Sequence, residues 1–129
     1  MNCGDTLLIP APGSGQVSHL WIIATRPCPT THRCVIVNIT TLRNDQDQTV
    51  TLVRGDHPFV NHQSTIRYSD AQIADVRSLR RDLAAGVLVP HQPCSPEILK
   101  LVQDGVFASP YTPKKIQNFC RELWRINPR

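Results

Sequence analysis

No stretch of the chain approaches the roughly 18 consecutive apolar residues that a membrane-spanning helix needs, so no membrane partner is expected. The opening MNCGDTLLIP has neither a basic leading region nor a long apolar run, and no secretory leader is expected. Internal repeats and low-complexity segments are absent, so no repeat architecture is indicated. Charge is sparse: 19% charged residues against 40% hydrophobic excludes a disordered polyelectrolyte and fits a globular chain. The five cysteines, Cys3, Cys28, Cys34, Cys94 and Cys120, are an odd number and cannot all pair. Free thiols in a reducing cytoplasm are the expectation.

What remains is enough for one domain. The 129 residues can bury a real core. Lys and Arg number 14 against 10 Asp and Glu, a net charge of +4 with a pI near 9.0. That excess suits a polyanion such as RNA, DNA or an acidic peptide, and it also occurs in proteins that bind none of these.

The first two thirds read as β structure. Leu20 to Thr25 is an apolar run of strand length, stopped by Arg26-Pro27-Cys28-Pro29. Cys34 to Thr41 is β-branched and apolar, a central strand. Asn44 to Gln48 is a polar turn, and Thr49 to Val53 alternates at period two. Ser64 to Tyr68 and Ile73 to Val76 are further short strands.

The last third reads as helical. Val76, Leu79 and Leu83 lie at helical spacing, with Gly86 as a stop. Ser95-Pro96-Glu97 starts a second helix: a cap, a proline at the first helical position and an acid at the positive end of the dipole. Thr112-Pro113 repeats that start for a third helix lined by Ile116, Phe119, Cys120 and Leu123. From Thr112 onward there are five positive residues and one negative, so this helix is basic. Pro90-His91-Gln92-Pro93 reads as a joint.

Strands first and helices after give an α+β domain spanning residues 1–129. Five to six short strands must curl to protect their edges, which points to a small SH3-like β-barrel over about residues 4–76, followed by helices over about 76–126.

Four segments, in order, resemble the PemK/MazF/Kid-type toxins of bacterial toxin–antitoxin modules. Gly4-Asp5-Thr6-Leu7-Leu8-Ile9 resembles the opening strand of that family. Gly13-Ser14-Gly15-Gln16-Val17-Ser18-His19 and the following Leu20-Trp21-Ile22-Ile23 resemble its first loop and second strand, with His19 or Leu20 nearest to the family's arginine. Val35 to Thr41 resembles the strand that ends in a hydroxyl pair, and Ser64 to Ile73 resembles the late strand and turn. The resemblance implies an SH3-like barrel, usually dimeric, that acts as a sequence-selective endoribonuclease and is neutralised by an antitoxin. No cofactor is implied. Some relatives instead inhibit DNA gyrase, which keeps a non-catalytic binding module as the alternative. A small partner of a larger defence complex is a third reading.

The chemistry-bearing residues concentrate in GDHPFVNHQSTIRYSD, Gly55 to Asp70. Cleaving RNA without a metal needs a base for the 2′-hydroxyl, an acid for the departing 5′-oxygen and donors for the phosphate. Histidine suits the first two and arginine the third. His57 and His62 are the expected acid–base pair, in either order. Arg67 would hold the phosphate, and Ser64 and Tyr68 would bond substrate or orient a histidine. His19, Thr40 and Thr41, at family-like positions, and the basic-helix residues Lys114 and Lys115 would bind substrate. On an ideal strand Ser64, Ile66 and Tyr68 share one face while Thr65 and Arg67 share the other, so the set converges only if the strand bends. The plainer reading stays open: a His57-Pro58 turn, Phe59 and Val60 plugging the core, and His62 capping the next strand.

Two metal readings carry less. Cys28 and Cys34 are separated by five residues rather than the two to four usual in structural zinc sites. Asp56, Asp70 and Asp75 fall on turns, where Asp is common for local hydrogen bonding. No metal ligand is assigned.

Overall fold

The computed structural model describes residues 1–11, 18–44 and 46–129. The described residues form seven strands and three helices, in the order β1 (Thr6–Pro10), β2 (Ser18–Ile23), β3 (Arg33–Thr41), β4 (Thr51–Leu52), β5 (Ser64–Ile66), β6 (Gln72–Asp75), α1 (Val76–Ala84), β7 (Val89–His91), α2 (Pro96–Ala108) and α3 (Lys114–Ile126). The fold is therefore α+β. All pairings are antiparallel, in the lateral order β4-β5-β3-β2-β1-β7, with β6 also on β3. Among the described residues no ladder joins β7 to β4, so the pairing path stays open.

β3 is the centre. Its residues from Cys34 to Ile39 are all buried, because both of its faces are covered over part of its length. Alternation divides them. Val35, Val37 and Ile39 join Leu20, Ile22 and Ile66 in a core closed by Ile98, Val102 and Val106 of α2 and Ile116 and Cys120 of α3. Cys34 and Ile36 face the other way and meet Leu7, Ile23 and Leu88, where Val76 and Leu79 of α1 cover them.

Each helix is set by its ends. The Asp75 side chain accepts from the Arg77 amide at 2.8 Å to start α1, and Gly86, at φ 77°, follows its end. Ser95 caps α2 by accepting from the Ile98 amide at 3.2 Å, with Pro96 in the first turn. The expected repeat of this start at Thr112 does not form. Pro113 itself is the residue before α3, and the buried Thr112 hydroxyl has no partner among the described residues.

Two strands are shorter than expected. Asp47 accepts from both the amide (2.9 Å) and the hydroxyl (2.6 Å) of Thr49, which draws Thr49 into the turn and delays β4 to Thr51. β5 ends at Ile66, and a 3-10 turn over Tyr68–Asp70 leads into β6. The expected joint at Pro90 to Pro93 instead begins with β7, which pairs with β1 as Leu7 opposite Pro90. An outer strand tolerates proline because its nitrogen faces away from the ladder.

Candidate functional site

The sheet is covered by α2 and α3 on one face but only partly by α1 on the other. Ile9 pairs with His19 across β1 and β2, and Trp21 with Asn38 across β2 and β3. Cross-strand partners share a face, so these side chains continue the row that α1 covers at Leu7, Ile23 and Ile36. Among the described residues nothing covers the row beyond the reach of α1. It forms a groove of about 590 Å³ lined by Ile9, His19, Trp21, Asn38, Thr40 and Arg67, with Asp70 at the rim.

A second groove, of about 420 Å³, is lined by His19, Thr40, Thr41, His62, Ser64 and His91. The two share His19 and Thr40, so together they run across the end of β3. His62 is exposed, and its Nε2 lies 2.9 Å from the Thr41 hydroxyl. The Ser64 hydroxyl donates to the His62 carbonyl at 3.0 Å, which fixes the chain beside that histidine. No hydrogen bond holds the His19 ring among the described residues.

Arg67 is half exposed and pairs with Asp70 at 3.5 Å, a contact that solvent weakens. Its amide donates to the Asn38 carbonyl at 3.0 Å, which ties the turn to β3. The Asn38 amide nitrogen faces Asp70 Oδ2 at 3.5 Å. Its Oδ1 is buried and has no partner among the described residues. An orphaned buried acceptor of this kind costs about 1–3 kcal/mol.

The residues expected to act together therefore separate. His19, Thr40, Thr41, His62 and Ser64 meet in one groove, and Arg67 lines the adjoining one. Ser64 lines one groove and Arg67 the adjoining one. His57 is only 4% exposed. Its Nδ1 accepts from the Phe59 amide at 3.0 Å, so its Nε2 carries the proton and donates to the Gln92 carbonyl. Both ring nitrogens are thus committed to the backbone. Tyr68 is fully buried, and its hydroxyl donates to the Val102 carbonyl at 2.7 Å. Burial pushes its phenol well above the ordinary range, so it is neither an acid nor a base near neutrality. Lys114 and Lys115 are exposed on α3 and line neither groove. Residues 13–17 of the first loop lie outside the described residues.

His91, Trp21 and Asn38 were not singled out from sequence. His91 sits within a segment that reads as a joint, and its ring centroid lies 5.1 Å from that of His57. Trp21 and Asn38 each lie in an apolar run, and only the pairing of the strands shows which of their faces is open.

The three aspartates do separate local work. Asp56 accepts from the Val53 amide at 2.8 Å, Asp70 pairs with Arg67, and Asp75 caps α1. Among the described residues no group of three or more His, Cys, Asp or Glu side chains is placed to hold a metal ion. No helix of the described residues is long and apolar enough to cross a membrane.

No protein-family model matches the chain, and no curated protein matches it.

Proposed function

We propose that the chain is a toxin-type, metal-independent endoribonuclease that cleaves single-stranded RNA in the cytoplasm and is neutralised by an antitoxin. The open sheet is read as an SH3-like barrel whose closure is incomplete. One observation carries the reading: two grooves meet at His19 and Thr40, with His62 in one and Arg67 in the other.

The chemistry follows from that arrangement. One imidazole, His62 or His19, takes the proton of the 2′-hydroxyl as its oxygen attacks phosphorus. The other gives a proton to the departing 5′-oxygen. The products are a 2′,3′-cyclic phosphate and a 5′-hydroxyl. The imidazole has the proton affinity for both steps near neutral pH. Arg67 supports the charge that grows on the phosphate, and the hydroxyls of Thr40, Thr41 and Ser64 hold its oxygens or the ribose. His57 and Tyr68 act as supports from the interior rather than as proton carriers.

The test is purified protein with a long single-stranded RNA in EDTA. Discrete fragments ending in 2′,3′-cyclic phosphate are expected. Intact RNA at high protein concentration would overturn the nuclease reading and leave a binding module.

A further inference from the structure

A third imidazole, that of His91, lines the smaller groove with those of His19 and His62, and it is half-buried. Its Nδ1 accepts from the Gln92 amide at 2.8 Å. In the neutral ring the proton is therefore on Nε2, at the end of the ring away from the main chain. Among the described residues Nε2 has no hydrogen-bond partner. The surroundings hold this arrangement in place. The strand pairing sets the His91 backbone opposite Thr6. Gln92, which donates to the ring, is itself fixed through its carbonyl, which accepts from His57 Nε2 and, at 2.8 Å, from the Thr6 hydroxyl. The His91 ring packs against His57 at 5.1 Å and edge-on against Phe59 at 6.1 Å between centroids.

We propose that His91 is a further substrate-binding residue, whose Nε2–H donates, uncharged, to a phosphate oxygen of RNA in this groove. This rests on the RNA reading above and adds a phosphate contact to it. The roles of the three imidazoles divide by chemistry. A nitrogen that already holds a proton takes none from a 2′-hydroxyl, and a neutral imidazole does not release its proton near neutral pH. His91 is therefore a fixed donor. His19, and His62 with its Nε2 beside the Thr41 hydroxyl, keep the proton transfers. The buried His57 gains a purpose as well: it holds Gln92, and Gln92 holds the tautomer of His91.

The experiment separates binding from cleavage. The probe is a labelled pool of random-sequence RNA oligonucleotides, 2′-O-methylated throughout so that no attacking hydroxyl exists. His91→Phe keeps a ring but no donor, and should weaken binding about tenfold or more, as loss of a hydrogen bond to a charged group does. Because no charge is removed, the salt dependence of binding should not change. His91→Gln restores an N–H at the reach of Nε2 and should bind within about threefold of the parent. Nitrogen NMR of the unaltered protein, labelled at histidine, reads the tautomer without any variant, and should find the neutral His91 proton on Nε2. Equal binding by His91→Phe overturns the proposal. So does a loss in His91→Gln as large as in His91→Phe, which would mean ring packing alone. A salt slope reduced by about one would mean a cationic contact and also overturns it. A proton on Nδ1 overturns it even where His91→Phe does not fold. All four leave the nuclease reading to be judged by its own fragments in EDTA. Binding that depends on His91, in a protein that cleaves no unmodified RNA, upholds the contact and removes the nuclease. A protein that neither binds nor cleaves RNA overturns both.

Discussion

Gly105 lies against the phenol of Tyr68 so closely that a Cβ at position 105 would stand 1.9 Å from the Tyr68 oxygen. This is the contact at which α2 settles on the sheet, with Tyr68 also bonded to the Val102 carbonyl. Alanine is ordinarily favoured over glycine inside a helix by about 1 kcal/mol. Here the overlap outweighs that gain, since forced overpacking costs about 1–3 kcal/mol or more. Gly105→Ala should lower stability by about 2 kcal/mol net in urea denaturation. A variant as stable as the parent would show that α2 can lift without loss.

The two histidines of the polar segment should respond oppositely to substitution. His57→Ala removes a buried ring and two backbone contacts, so a loss of about 2 kcal/mol in stability is expected. Cleavage per folded molecule should change little. His62→Ala on the exposed rim should shift stability by no more than about 0.5 kcal/mol. Its cleavage rate should fall by about a hundredfold to ten-thousandfold. Paired denaturation and RNA cleavage assays read both. The reverse pattern would return the proton transfer to His57.

Asp47 joins the two halves of the chain. Its Oδ2 accepts from the Ser109 hydroxyl at 2.5 Å, just past the end of α2, while its Oδ1 holds Thr49. Its carbonyl also accepts from Thr65. Asp47→Ala leaves the Thr49 amide and the hydroxyl hydrogen of buried Ser109 without an acceptor, although the Ser109 oxygen still accepts from the Tyr111 amide, and a loss of about 3 kcal/mol is expected by thermal or urea unfolding. Asp47→Asn keeps the shape and an acceptor, and should cost about half as much.

Cys28 should be the thiol that reacts first. Hydrogen bonds from the hydroxyls and amides of Thr30 and Thr31 stabilise its thiolate and bring it down to about 6. Burial pushes Cys34 and Cys94 up to about 11 and Cys120 up to about 12. Iodoacetamide labelling read by mass spectrometry should modify Cys28 with a midpoint near pH 6, well before these three. The associated stability is complete above the ordinary thiol value and is lost as pH falls through about 6. A Cys28 labelling midpoint above pH 8 would remove the thiolate from the loop.

The sequence is most informative where local chemistry and burial agree. Ser95-Pro96 gives the start of α2 and the β-branched run gives β3, because a cap and a two-face-buried strand each leave a direct mark. β7 leaves none: three residues with a proline at the centre carry no alternation, and only the docking of β1 makes them a strand. The site is harder for the same reason. His62, Ser64 and Arg67 stand out as polar residues in a short segment, but His57 looks identical until Gln92 and Phe59 are seen to occupy its nitrogens. Asn38 is hidden by the apolar residues on either side of it. Its meaning depends on where α1 stops, which is a property of the packed chain rather than of positions 34–41.

The outer strand β7 has a consequence for self-association. Pro90 removes one donor from the margin that lies beyond β1, and an incoming strand there would find a gap in its ladder. Strand addition, and with it fibre growth, is disfavoured at that margin.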